Sequence, residues 1–128
     1  MIYNLVKYLS DQLPALSFVT NGWEPNSERN SIMIRQTGGD QKPFNRKDYM
    51  AQVMSRAKNT VIAKTQVDAV FDLLKYKYGL LLPAVTIGVV VHAAVQTYQV
   101  APIALPGYIG ADNENLEMWS FSLTITTE

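Results

Sequence analysis

Cysteine is absent from the 128 residues, which excludes a disulfide framework, a thiolate metal site and a cysteine nucleophile together. Histidine occurs once, as His92, and a zinc site, needing three or four ligands, has no local basis around it. Neither sign of charge is in excess, because eleven basic residues balance eleven acidic ones. A protein held on nucleic acid by phosphate neutralisation normally carries a basic surplus, which is missing. Zero net charge also removes the self-repulsion that keeps copies apart. The longest apolar stretch, Leu80 to Val91, is interrupted by Pro83 and Gly88, and it falls short of the ~20 residues of a membrane span. Met1 to Leu13 carries Lys7 and Asp11 inside its apolar pattern and has no signal-peptide core. A soluble intracellular protein with no membrane partner is the expectation.

What is present suits one globular domain over residues 1–128, with 48% apolar residues to build a core. Ile2, Leu5, Val6, Leu9 and Leu13 recur at helical spacing, and Pro14 ends that helix. Leu16 to Thr20 reads as a short strand, Asn21-Gly22 as a turn and Trp23 to Asn30 as a loop. Ser31 to Arg35 and Asp48 to Ala57 alternate apolar and polar residues as half-buried strands, and Gln36 to Lys47 reads as an exposed loop between them. Asn59 or Thr60 is suited to cap a helix whose stripe is Ala63, Val67, Val70, Phe71, Leu74 and Tyr78, with Gly79 as its stop. Val85 to Val100 reads as a strand bulged at Gly88, Ala101 to Asn115 as a second long loop, and Trp119 to Ile125 as an amphipathic strand. The order predicts an α+β fold: a mostly antiparallel or mixed sheet with two helices packed on one face.

A search for chemistry finds little. His92 lies among Val90, Val91, Ala93 and Ala94 with no acidic neighbour within ten residues, which suits a structural role. Gly38-Gly39-Asp40 lacks the Gly-Lys-Ser/Thr ending and the helix of a phosphate loop. Asp112, Glu114 and Glu117, or Asp68 with Asp72, offer oxygen ligands to a divalent cation, but without EF-hand spacing they read as solvated carboxylates. No catalytic residue, metal site or cofactor is implied. Lys42, Arg46, Lys47, Arg56, Lys58 and Lys64 form a basic cluster diluted by Asp40 and Asp48. Its Lys42, Arg46 and Lys47 face either DNA, an acidic partner surface or solvent. Long loops in a small domain are usually functional. The second carries Ile103, Leu105, Tyr108 and Ile109 between prolines, and the first carries Phe44. Apolar side chains in such loops point to a protein–protein interface.

Three stretches carry a family resemblance: Ile32-Met33-Ile34-Arg35 through Gly38-Gly39-Asp40 to Tyr49–Arg56, then the helix Thr60 to Tyr78, then Gly110-Ala111-Asp112-Asn113 leading into Trp119–Ile125. With the N-terminal helix they cover nearly the whole chain, which resembles the tail-terminator, or tail-completion (minor capsid), proteins of long-tailed bacteriophages. The resemblance implies a structural virion protein without enzyme activity, made in the host cytoplasm. It implies a homo-oligomeric ring, usually a hexamer, that caps the head-proximal end of the tail tube. Its partners would be further copies of itself, the tail tube protein and the head connector or neck protein, with DNA passing through. Such a ring needs a heterologous interface, two different patches of each copy meeting. A small ligand-binding or regulatory α+β domain is the alternative, and an enzyme subunit using His92 in a shared site is a third reading.

Overall fold

The computed structural model describes residues 1–20, 30–41, 43 and 46–128. The expected turn at Asn21-Gly22 and nearly all of the loop to Asn30 lie outside these residues, as do Lys42 and Phe44.

Helix α1 (Ile2–Gln12) buries Ile2, Asn4, Leu5 and Leu9 and ends where Pro14 was expected to end it. Strand β1 (Phe18–Thr20) follows, then β2 (Ser31–Gln41) and β3 (Lys47–Ala57). Helix α2 (Thr60–Leu74) is capped by Asn59, whose side chain accepts the Val61 N–H at 2.8 Å. Beyond it come β4 (Lys77–Tyr78), β5 (Leu81–Leu82), β6 (Val85–Ile87), β7 (Val90–His92), β8 (Val95–Pro102), β9 (Gly107–Ala111) and β10 (Glu117–Thr127). The main sheet runs β1-β2-β3-β10-β8-β4, with β5 paired to β8 and β9 to β10. Among the described residues only β1–β2 is a parallel pair in it, so the sheet is mixed and predominantly antiparallel.

Strand alternation sets one core. Ile32, Ile34, Ala51, Val53, Val100, Phe121, Leu123 and Ile125 form a single buried cluster with Ile2, Leu5 and Leu9 of α1 and Val67, Val70 and Leu74 of α2. Both helices therefore cover the same sheet face, and Phe71 of α2 meets Phe121 edge-on at 5.4 Å. Each fully buried aliphatic of this kind contributes about 1.5–3 kcal/mol. The Ser55 hydroxyl donates to the Ala63 carbonyl at 2.7 Å, tying β3 to α2 inside the core.

Several expectations are corrected. The stretch Gln36 to Lys47 is not a free loop: β2 and β3 stay paired out to Gln41 opposite Lys47, with a bulge between Gln36 and Gly38. Gly39 permits this, because a Cβ there would stand 2.5 Å from the Asp48 carbonyl oxygen. Helix α2 stops at Leu74, not Tyr78: Lys75 is extended and Tyr76 takes φ of +48°. Lys77 and Tyr78 instead pair with Val100 and Gln99, and edge pairing outweighs the continuing apolar stripe. Val85 to Val100 is two units. A tight hairpin pairs Ile87 with Val90 across Gly88-Val89, Gly88 taking the φ of +62° that such a turn requires, and β8 follows it. Ala101 to Asn115, also expected to be a loop, is strand at both Ala101–Pro102 and Gly107–Ala111, where β10 supplies a partner, and is irregular only between and after them.

Candidate functional site

Strand β10 is the scaffold of the surface where the interface was expected. Its second half pairs with β8, Leu123 opposite Pro102, and its first half with β9, Ser120 opposite Gly107. The two partners are one interrupted strand lying along the same edge. The Ile103 N–H still donates to the Ser122 carbonyl at 2.8 Å. Between positions opposite Ser122 and Ser120 the chain therefore has residues to spare, and Ala104 to Pro106 bow outward. A second irregularity follows at once: Met118 faces Gly110 and Trp119 faces Tyr108, which leaves Ile109 as an extra residue. Bulges of this kind re-aim side chains. Ile103, Leu105, Tyr108 and Ile109 are 50–77% exposed.

Tyr108 is the anchored member. Its ring lies 5.6 Å from that of Trp119, and its hydroxyl donates to the Glu117 carboxylate. That hydrogen bond, then desolvation and the neighbouring charge, raise the phenol above its ordinary value. Trp119 is fixed in turn by its indole N–H, which donates to the Thr60 hydroxyl at 3.0 Å, with the Lys64 ammonium 5.6 Å over its ring. A rigid aromatic pair beside exposed aliphatics is the composition of a contact surface.

The other residues singled out fall elsewhere. Arg46 lies with its guanidinium 4.7 Å over the Tyr98 ring on β8, and its carbonyl accepts from the Gln41 side chain. Lys47 opens β3, its backbone meeting the Thr127 hydroxyl at 3.3 Å. Two shallow grooves flank this end of the sheet, about 190 Å³ beside Gly39 and about 280 Å³ beside Gln96 and Glu128. Asp112 is committed to its own turn: it accepts from the Glu114 and Leu116 N–H groups and meets Arg56 at 3.4 Å. His92 closes the β6–β7 hairpin opposite Val85, with its ring 4.9 Å from Tyr3.

One apolar surface went unanticipated. Ile87, Val89, Val90 and Val91 of the hairpin are 46–98% exposed. A sequence signal for it exists: Tyr78 to Ala111, 34 residues, contains no Asp, Glu, Lys or Arg. At the chain's 17% charged content, about six would be expected where surface strands are guarded by charge. Of the 15 exposed large hydrophobic residues among those described, 11 lie in this stretch.

No curated protein matches the chain. A family model described as bacteriophage tail terminator protein matches residues 5–128, which spans α2, every strand described above and all of α1 but its first three residues. With the α+β architecture and the neutral, apolar surface on β8 and β9 in place, that match shows that the chain belongs to the bacteriophage tail terminator family.

Proposed function

We propose that copies of this chain close into a ring, a hexamer, at the head-proximal end of a phage tail. There the ring ends growth of the tail tube and presents a docking face to the head connector or neck protein. The family is that of a structural tail protein, and the residues brought together on β8–β10 suit contact rather than bond-making. The observation that carries the reading is the patch of Ile103, Leu105, Tyr108 and Ile109, displayed by two successive irregularities along an otherwise paired edge. Apolar side chains held out by backbone geometry gain free energy only when another surface covers them.

Arg46 and Lys47 belong to the outer end of the β2–β3 hairpin, and Lys42 and Phe44 lie outside the described residues. In a ring that end faces either the DNA passage or the tube and neck proteins. The ring forms in the host cytoplasm and remains in the virion. The ligand-binding alternative draws no support from the two grooves, since small-molecule sites usually enclose about 300–1,000 Å³ and most of their ligand.

The test is the double variant Ile103→Asp with Leu105→Asp. These side chains are 58% and 77% exposed, so circular dichroism and Tm should be unchanged while light scattering shows loss of the assembled species. Loss of the fold instead would assign the two residues to the core and remove the patch as an interface.

A further inference from the structure

The β6–β7 hairpin has no visible use within its own chain. Among the described residues its strands pair only with each other, as a two-stranded sheet separate from the main one. A lone two-stranded hairpin is marginal in water, and exposed strand edges are usually guarded by charge, lysine above all. This hairpin has neither a third strand nor a charged residue. Its root, by contrast, is firmly held. The buried Asn4 side chain donates to the carbonyls of Pro83 and Ala93 at 2.9 Å each, with that of His92 at 3.3 Å, gripping both legs from α1. Tyr3 packs on His92 one residue away. The fixed root presents a projecting tip at which Val89 is 98% exposed.

We infer that this hairpin is an arm that docks its Ile87–Val91 tip on the Ile103–Ile109 patch of the next copy of the chain, an assignment that rests on the ring reading above. Three observations select a second copy as occupant. Both surfaces are apolar and lie in the same uncharged stretch, so neither brings an unpaired charge of its own into the contact. They leave the two opposite ends of β8, whose eight residues span about 25 Å, and so are two separate patches of the subunit. Two different patches on one subunit, meeting head to tail, generate a ring when the rotation closes.

The absence of cysteine makes the test direct. Val89→Cys and Ile109→Cys chains are mixed while dilute, concentrated and oxidised. The expected product is a dimer joining the two different variants, in about tenfold excess over the product of either alone, because docking raises the local thiol concentration. Val90→Asp should reduce the assembled mass to that of the monomer with unchanged circular dichroism; should it lose its fold, the cross-link decides alone. A wild type that assembles while the mixed variants give no cross-link, or a Val89→Cys chain that pairs equally well with itself, overturns the arm and leaves the ring standing. A wild type that stays monomeric at high concentration, with variants that form no cross-link, overturns both.

Discussion

Asn4 lies on the inner side of α1 and is 1% exposed, in a place where the pattern of Ile2, Leu5 and Leu9 calls for an apolar residue. Its amide bridges carbonyls nearly ninety positions away, so Asn4→Ala takes the donor from three part-buried carbonyls, a loss of about 1–3 kcal/mol in all. We expect a drop of that size in urea unfolding, together with faster amide exchange in residues 85–92 than elsewhere. Gly39→Ala should also destabilise, by about 1–3 kcal/mol, since the new methyl meets backbone that cannot step aside. Tyr108 supplies a pH test. Its phenol is held above the usual value of 10.0, first by the hydrogen bond to Glu117. That contribution is therefore complete below pH 10 and fades as pH rises through the raised value. Ultraviolet titration of the wild type against Tyr108→Phe should isolate a late-ionising tyrosine, and Glu117→Ala should bring it back toward the ordinary range.

Elements with an unambiguous period were legible in the sequence. The spacing in α1, the Asn59 cap of α2 and the alternation of Trp119, Phe121, Leu123 and Ile125 in β10 each describe what formed. Errors gathered where local signals compete with pairing. Tyr78 continues the helical stripe of α2 but is taken by the edge of β8, so the chain turns at Tyr76 with a positive φ that Tyr tolerates poorly. Tyr76→Asn, which suits that conformation, should raise stability by about 0.5–1 kcal/mol in chemical unfolding. The two stretches expected as loops contain Gly38-Gly39 and Gly107–Gly110, which here accommodate bulges beside long partner strands. The exposed residues Ile103, Leu105, Tyr108 and Ile109 could be read because they stand among prolines and glycines. For Ile87 to Val91 periodicity says nothing, because a valine run has the same composition in a buried strand as in a bare one; the lack of charge from Tyr78 to Ala111 was its one signal.

At the scale of the molecule, β10 holds the parts together. It pairs with β3 on one side and with β8 and β9 on the other, while Phe121, Leu123 and Ile125 sit under α2. Leu123→Ala should cost about 2–5 kcal/mol, with one cooperative transition seen by circular dichroism and tryptophan fluorescence alike. The position of this strand also orders events on the ribosome. β10 comes after every strand it joins, so the hairpin of β2 and β3 and the uncharged run through β8 and β9 are made before the partner that unites them. Until that partner emerges, two half-sheets wait with open edges, and the neutral one has no charge to hold neighbouring nascent chains away. For the ring proposed above, the chain must therefore finish folding before it meets its copies. The completing strand acts as a timer, separating the edges to be closed within the subunit from the surfaces left for its neighbours.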